Sequence, residues 1–521
     1  MKLFSLRLSI FTLVFAVLVS LSGFAQDAAQ VLRMSVGYRT MKNQVPMSEE
    51  TRKAVEELEV KARAANSDKK YGEALKHMAH GMALMQNRPW TPVAALTEGT
   101  VARLERSIFD PGDTVKLTLT QFYTLDEPVD GKLKGALSIA VTKDGKQQTL
   151  KELKPLADVE ADFTKPLTIE AAIPDLPDGN YEIVVKLSPK SEDLFYKSNS
   201  IRIARDVNTQ AALLKTRAAS FRKDLESRFS LLNNPPMTTL AVAEYKATLI
   251  DLVNSGQMSV VRTDLKAEIA EANELLDQIS KGENPLKTKR GDIHWAYQSA
   301  VDNSFQPYRF YVPTNYDAKK KWPLVVALHG MGGDENSFFS SYNNGEIKRI
   351  AEARGYLVVC PKGRGPASMY MGTAETDVMD VINAMKRDYS IDDDRVYLMG
   401  HSMGGYGSWS VSVNHPELFA AIAPISGGGQ PFVMMGLKKL ASVPWIVIHG
   451  DKDPTVSVEE SRKMVKAGKD LGIEIKYIEV PGGNHTSIAV PAFKDIFDWF
   501  DAHKRQPAGA KAAAKAAGNG Q

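Results

Sequence analysis

Residues 396–408 read VYLMGHSMGGYGS. The apolar run from Val396 to Met399 stops abruptly at Gly400, and small residues follow. That order suits a buried strand turning sharply into a helix. Glycine at 400 and 404 removes the Cβ atoms that would obstruct so tight a turn, and a serine at its apex, Ser402, would project its hydroxyl beyond the strand end. The helix N-terminus behind it would add positive potential. A G-x-S-x-G pattern is too short to carry this reading alone. Its weight depends on the surrounding segments and on the partners found later in the chain.

The surroundings agree. Residues 291–505 alternate strand-like and helix-like segments: RFYVP, PLVVALHG, one helix from ENSFF to AEARG, YLVVCPKG, TAETDVMDVINAMKRDY, RVYLMG, the helix after Ser402, FAAIAPISG, VPWIVIHGD, a helix from Val458 to Leu471, IKYIEVPGGNH and FKDIFDWFDAHK. Several strands are continuously apolar, as in a mostly parallel sheet covered by helices on both faces. The strands end directly in loops at His329-Gly330, Lys362-Gly363, Gly400-His401-Ser402 and His449-Gly450-Asp451. In open α/β sheets, sites form at such carboxyl ends.

A serine hydroxyl is a weak nucleophile until a base takes its proton. The chain holds nine histidines, and His485, in PGGNH, follows a strand and precedes the last helix. An acid must hold that imidazole in its working tautomer. Asp451 and Asp453, in GDKDP, both lie between the serine and the histidine, and spacing does not separate them. Serine, acid, histidine is the chain order of α/β-hydrolases. Two backbone N–H groups are also needed for the oxyanion of a tetrahedral intermediate. Met403, next after the serine, offers one, and Met331, in the loop LHGMGG, offers the other.

The segments ALHGMGGDENSF, CPKGRGP, AETDVMDVINAMKRDYSIDDDRVYLMGHSMGGYGSW, HPELFAAIAPISGG, PWIVIHGDKDP and PGGNH together resemble a group of secreted α/β-hydrolases. The group comprises polyhydroxybutyrate depolymerases, feruloyl and acetylxylan esterases and prolyl-oligopeptidase-like predicted peptidases. The resemblance covers about two-fifths of the chain. It implies a catalytic set of Ser402, Asp453 (rather than Asp451) and His485, with Met331 and Met403 at the oxyanion, and it implies cleavage of a carboxylic ester, on a small or polymeric substrate, through an acyl-enzyme. The same triad and fold would also serve a prolyl-oligopeptidase-type peptidase. A third reading is a non-catalytic protein whose β-rich region binds a polysaccharide or a partner. Three positions depart from the group: His401 where many relatives are apolar, Thr455-Val-Ser457 after the acid, and Thr486 after the histidine.

The rest of the chain supplies context. Residues 1–25 combine Lys2 and Arg7, an apolar stretch from Leu8 to Leu21 and small residues before Ala25, as in a cleavable secretory signal. Without them, 63 basic residues face 62 acidic ones, a balance that favours neither nucleic acid nor, after cleavage, a membrane surface. The product would be periplasmic or secreted. The single cysteine, Cys360, excludes an intrachain disulfide and reads as a buried strand residue. Residues 26–93 read as helical, with Ser48 an N-cap. Residues 94–205, with alternating short strands and Pro-Gly and Asp-Gly turns, read as an immunoglobulin-like β-sandwich. Residues 206–290 read as helices and a linker, 291–505 as the α/β-hydrolase domain, and 506–521 as a low-complexity tail. His77, His80, His329 and His449 read as structural histidines, and Trp409 and Tyr406 as packing. Arg364 suits loop fixing or an anionic substrate, and Asp377 and Asp380 read as solvated. No metal-ligand set and no phosphate-binding loop is evident, so no cofactor is implied.

Overall fold

The computed structural model describes residues 45–505 apart from 190–193, 229–236, 262, 284, 286–288 and 366, with scattered positions between 31 and 42. The expected leader (1–25) and tail (506–521) lie outside the described residues. The described residues fall into two compact units, one drawn from Met1–Pro235 and Lys246–Asp277, the other from Pro236–Tyr245 and Gln278–Gln521. Among the described residues no helix is long and apolar enough to cross a membrane.

In the first unit, after helical positions between 31 and 42, come helices α1 (Glu49–Ser67) and α2 (Tyr71–Met85). The Ser48 hydroxyl caps α1 by accepting the Thr51 N–H at 3.1 Å, satisfying a donor that has no intrahelical acceptor. Val55 and Ala62 of α1 meet Leu75, Met78, Met82 and Met85 of α2 in one buried cluster. A short helix, α3 (Pro92–Gly99), occupies the start of the region expected to be all strand, with Thr91 as its cap and Pro92 in its first turn. Two sheets follow. One has the order β1 (Thr100–Leu104), β3 (Thr114–Gln121), β6 (Leu167–Ala172). The other runs β2 (Ile108–Phe109), β8 (Phe195–Ile203), β7 (Gly179–Ser188), β4 (Leu133–Lys143), β5 (Lys146–Val159). Leu117 and Ile169 from the first and Leu137 and Ile183 from the second share one core, so the pair is a sandwich. Helices α4 (Val207–Arg228), α5 (Met237–Asn254) and α6 (Leu265–Ser280) come next in the chain.

The second unit is built on eight strands: β9 (Gly291–Gln298), β10 (Phe305–Val312), β11 (Trp322–Leu328), β12 (Leu357–Pro361), β13 (Ile391–His401), β14 (Ala421–Ile425), β15 (Trp445–Gly450) and β16 (Ile475–Val480). They lie in the order β16-β15-β14-β13-β11-β12-β10-β9. β9 and β10 are antiparallel additions, and β11 through β16 run parallel. This is an α/β-hydrolase sheet. Every residue of β11 and of β15 is buried, which is why these strands read as unbroken apolar runs. The interleaved helices are α7 (Glu346–Arg354), α8 (Thr373–Asp388), α9 (Met403–Asn414), α10 (Pro431–Gly436), α11 (Val458–Asp470) and α12 (Ala489–Ala502). On one face Phe493, Ile496, Phe497 and Phe500 of α12 pack with Val325, Tyr356, Val358, Tyr397 and Ile446.

The helix expected from ENSFF to AEARG is broken. A π-helical turn covers Ser337–Ser341, and α7 starts only at Glu346. Between them Asn343 and Asn344 have φ of 49° and 52°, the left-handed region that asparagine tolerates and that ends a right-handed helix. The break brings Tyr342 into the site described below.

Phe497 is fully buried and meets the Tyr356 ring edge-on at 5.1 Å. Phe497→Ala should destabilise the protein by about 3–5 kcal/mol through the cavity left behind, seen as an earlier transition in denaturant unfolding followed by tryptophan fluorescence.

Candidate active site

The site grows from the end of β13. Ser402 follows the strand with φ 58° and ψ −116° and precedes α9, a strained conformation for a residue with a Cβ. The two flanking glycines are steric necessities. A Cβ on Gly404 would lie 1.8 Å from the Leu328 carbonyl oxygen of β11, and one on Gly400 would lie 2.2 Å from the Gly404 carbonyl oxygen. The turn is pinned as well: the Ser402 N–H donates to the Ile425 carbonyl at 2.9 Å, and the Tyr406 N–H to the Ser402 carbonyl at 3.0 Å. Held in this way, the Ser402 hydroxyl stands half-buried at the carboxyl edge of the sheet.

His485 reaches it from the loop between β16 and α12. Ser402 Oγ and His485 Nε2 are 2.8 Å apart, and His485 Nδ1 is 2.7 Å from Asp453 Oδ2. A carboxylate only accepts, so Nδ1 carries the proton and donates it to Asp453. Nε2 is left to accept from the serine hydroxyl. The structure therefore brings Ser402, His485 and Asp453 into one hydrogen-bonded line. Asp451, two residues away, turns to the Gly482 N–H at 2.6 Å instead.

Asp453 is fully enclosed. Its Oδ1 accepts the Thr455 and Val456 N–H groups at 2.8 and 2.9 Å, and its Oδ2 faces His485 and, at 3.3 Å, His449 Nε2. Burial alone would raise its pKa. The hydrogen bonds from His449 and His485 outweigh burial and hold the carboxyl well below the usual carboxylate range. Because the folded-state value is depressed, this carboxylate adds stability above the ordinary aspartate range near pH 4, and the contribution fades as pH falls below it.

The oxyanion candidates flank the serine. Met403 is the first residue of α9, where an N–H has no intrahelical acceptor. Met331 sits in a turn closed by the Gly333 N–H donating to the Gly330 carbonyl at 3.1 Å. This loop runs beside the nucleophile: a Cβ on Gly330 would stand 3.5 Å from Ser402 Cβ. The His329 ring ties the loop down, its nitrogens 2.9 Å from the Gly330 carbonyl and 2.8 Å from that of Lys362.

Other side chains singled out in the sequence take definite places. His449 is more than a loop residue: besides Asp453, its ring meets Ser461 Oγ at 2.6 Å and the Val456 carbonyl at 3.0 Å. It backs the acid, approaching the same carboxylate oxygen that His485 binds. Arg364 fixes a loop, paired with Asp302 and Asp377 at 2.6 Å each. Asp377, expected to be solvated, is 1% exposed and also accepts the Tyr297 hydroxyl at 2.7 Å. An arginine brought over by the β12 loop compensates its burial. Trp409 packs edge-on against Trp445, Cys360 is buried at the end of β12, and His80 stacks on Trp90. His401 is buried, and burial, with His485 nearby, pushes its pKa down to about 4. Among the described residues no group of three or more His, Cys, Asp or Glu is arranged to hold a metal ion.

Sequence comparison adds a context. Residues 346–439 match the prolyl oligopeptidase family model. A bifunctional acetylxylan esterase/xylanase of Neocallimastix patriciarum is 33% identical over 163 residues, covering 31% of this chain and 23% of that protein. A probable feruloyl esterase C of Aspergillus terreus is 29% identical over 161 residues, covering 30% of this chain and 58% of that one. A prolyl endopeptidase of Bos taurus is 25% identical over 262 residues, covering 43% and 34%. The chain spans less than two thirds of the length of each of these relatives. Residues 346–439 lie in the second unit, and the chain is similar both to esterases and to a prolyl endopeptidase.

Gly404→Ala tests the elbow. The added methyl group meets backbone, not a movable side chain, so the turn must open. The expected result is loss of soluble folded protein, or a melting temperature lowered by several degrees with Ser402 no longer labelled by a fluorophosphonate probe.

Proposed function

We propose that this α/β-hydrolase is an exported serine esterase acting on carboxylic esters, with export directed by residues 1–25. The carrying observation is the line from Ser402 Oγ through the His485 ring to Asp453, at 2.8 and 2.7 Å, with the serine on a strained turn at the head of α9. His485 Nε2 takes the Ser402 proton as Oγ attacks the ester carbonyl. The tetrahedral oxyanion is met by the Met331 and Met403 amides, each donor of such a pair being worth on the order of 10²–10³ in turnover. The imidazolium, stabilised by the Asp453 carboxylate, then protonates the departing alkoxide, leaving an acyl group on Ser402. Water enters, gives its proton to His485 and attacks the acyl carbon. The second tetrahedral intermediate collapses to the free acid, and the proton returns to Ser402.

Two of the relatives named above are described as esterases, and they carry the higher identities, 33% and 29%. A second reading, a peptidase with the same residues in the same roles, is favoured by the match of residues 346–439 to the prolyl oligopeptidase family. An amide needs the same attack and a protonated amine as leaving group, so the chemistry alone does not choose. A panel of acetyl, feruloyl and hydroxybutyrate esters and aminoacyl-nitroanilides decides between them. Turnover of esters with none of the anilides is the expected result, and the opposite preference reverses the assignment.

Ser402→Ala should lower ester turnover by on the order of 10³-fold or more with the fold kept. Asp453→Asn should cost about 10⁴ in kcat by presenting the wrong His485 tautomer, whereas Asp451→Asn should stay within a few-fold. Steady-state hydrolysis of an aryl acetate measures all three.

A further inference from the structure

His485 is held at two points by consecutive residues of one strand end. Its ring accepts from Ser402, and its backbone carbonyl accepts from His401 Nε2 at 2.7 Å. The other His401 nitrogen, Nδ1, is 2.8 Å from the Tyr342 hydroxyl. A carbonyl can only accept, so His401 Nε2 carries the proton; Nδ1 is then bare and accepts from Tyr342. This fixes the tautomer of a buried, neutral imidazole and leaves no polar ring atom unpaired. The Tyr342 ring is itself fixed by stacking on Phe338 at 4.7 Å. The chain from Tyr342 through His401 to the His485 carbonyl is continuous and lies wholly within the second unit.

The loop that bears His485 needs such a tether. Residues 481–488 form neither strand nor helix. Their other anchors hold the residues around His485: Gly482 on Asp451, Gly483 on Lys452, and Asn484 on Thr486 and Ser487. Among the described residues only the His401 bond acts on the main chain of His485 itself, and it originates one residue from the nucleophile. An apolar side chain at 401 would fill the space and leave the carbonyl without that donor.

We infer that His401, oriented by Tyr342, is a positioning residue for His485, setting the distance between the base and the Ser402 hydroxyl by gripping the base's backbone carbonyl from the neighbouring strand position. The inference rests on the roles given to Ser402 and His485 above.

The test uses the full chain and two readouts: the rate at which a fluorophosphonate phosphonylates Ser402, which needs an activated hydroxyl but no ester substrate, and kcat and KM on an aryl acetate. His401→Leu should slow phosphonylation and kcat by on the order of 10², the cost of a displaced catalytic group, with KM within two-fold. Tyr342→Phe keeps the ring packing but frees the tautomer, and should lower both rates several-fold at an unchanged melting temperature. His401→Gln, whose amide offers a donor at similar reach and an acceptor behind it, should recover most of the loss. Wild-type rates in His401→Leu, or a loss that glutamine does not recover in a protein of normal melting temperature, would overturn the inference. Should the leucine variant not fold, wild-type rates in Tyr342→Phe would overturn it. If the wild-type protein is phosphonylated but cleaves no ester, the esterase reading fails while the phosphonylation rates still decide the role of His401. If the wild-type protein is not phosphonylated, both fall together.

Discussion

The close approach of two backbones at the end of β13 is the constraint on which the site depends. Gly404 lies so near the Leu328 carbonyl that no Cβ fits between them. That contact lets α9 start directly beneath the sheet edge and forces Ser402 to the apex at positive φ. Strain of this kind, of order 1–3 kcal/mol, persists only where the surroundings over-determine the backbone. Here they do: β13 lies between β11 and β14, with Val396–His401 buried, and the Ser402 amide is bonded to Ile425. The hydroxyl's position is therefore a property of the whole sheet.

Around that fixed point three histidines divide the work. His485 faces the serine, His449 backs the acid, and His401 holds the loop from which His485 projects. Each has its two ring nitrogens committed, so the imidazoles form a framework with little freedom to re-tautomerise. Asp453, supplied with two backbone donors and two histidines, stays ionised, as the proposed mechanism requires when the imidazolium forms.

Much of this was legible in the sequence because chemistry and folding impose the same residues. The strands β11 and β15 and the Val396–Met399 stretch of β13 must be apolar on both faces, and Gly400 and Gly404 must lack side chains. Ser402, His485 and an acid after β15 must follow strands whose carboxyl ends share one edge, a constraint that Asp451 and Asp453 meet equally and that only the resemblance resolves. Contacts between chain-distant, non-repeating positions were not legible. His401 looked like a departure from an apolar pattern, but its partners, Tyr342 and the His485 carbonyl, lie far away in sequence on either side. The backing role of His449 depends on a loop that folds the chain back over Asp453. Tyr342 lies where the sequence pattern predicts one continuous helix, and only the left-handed Asn343-Asn344 pair turns it toward His401. Strand β5 is an exposed sheet edge: with both of its faces largely solvated, it lacks the alternation that betrays a half-buried strand, and lysines and Pro155 along it are typical of an edge guarded against further pairing.

An acyl group caught on Ser402 would test the central claim most directly. Rapid acid quench of the protein during turnover of an aryl ester, followed by peptide mass spectrometry, should find the acyl mass on the peptide containing Ser402, formed in a burst ahead of steady state. Turnover with no acyl adduct on that peptide, or with the adduct on a different side chain, would contradict the account.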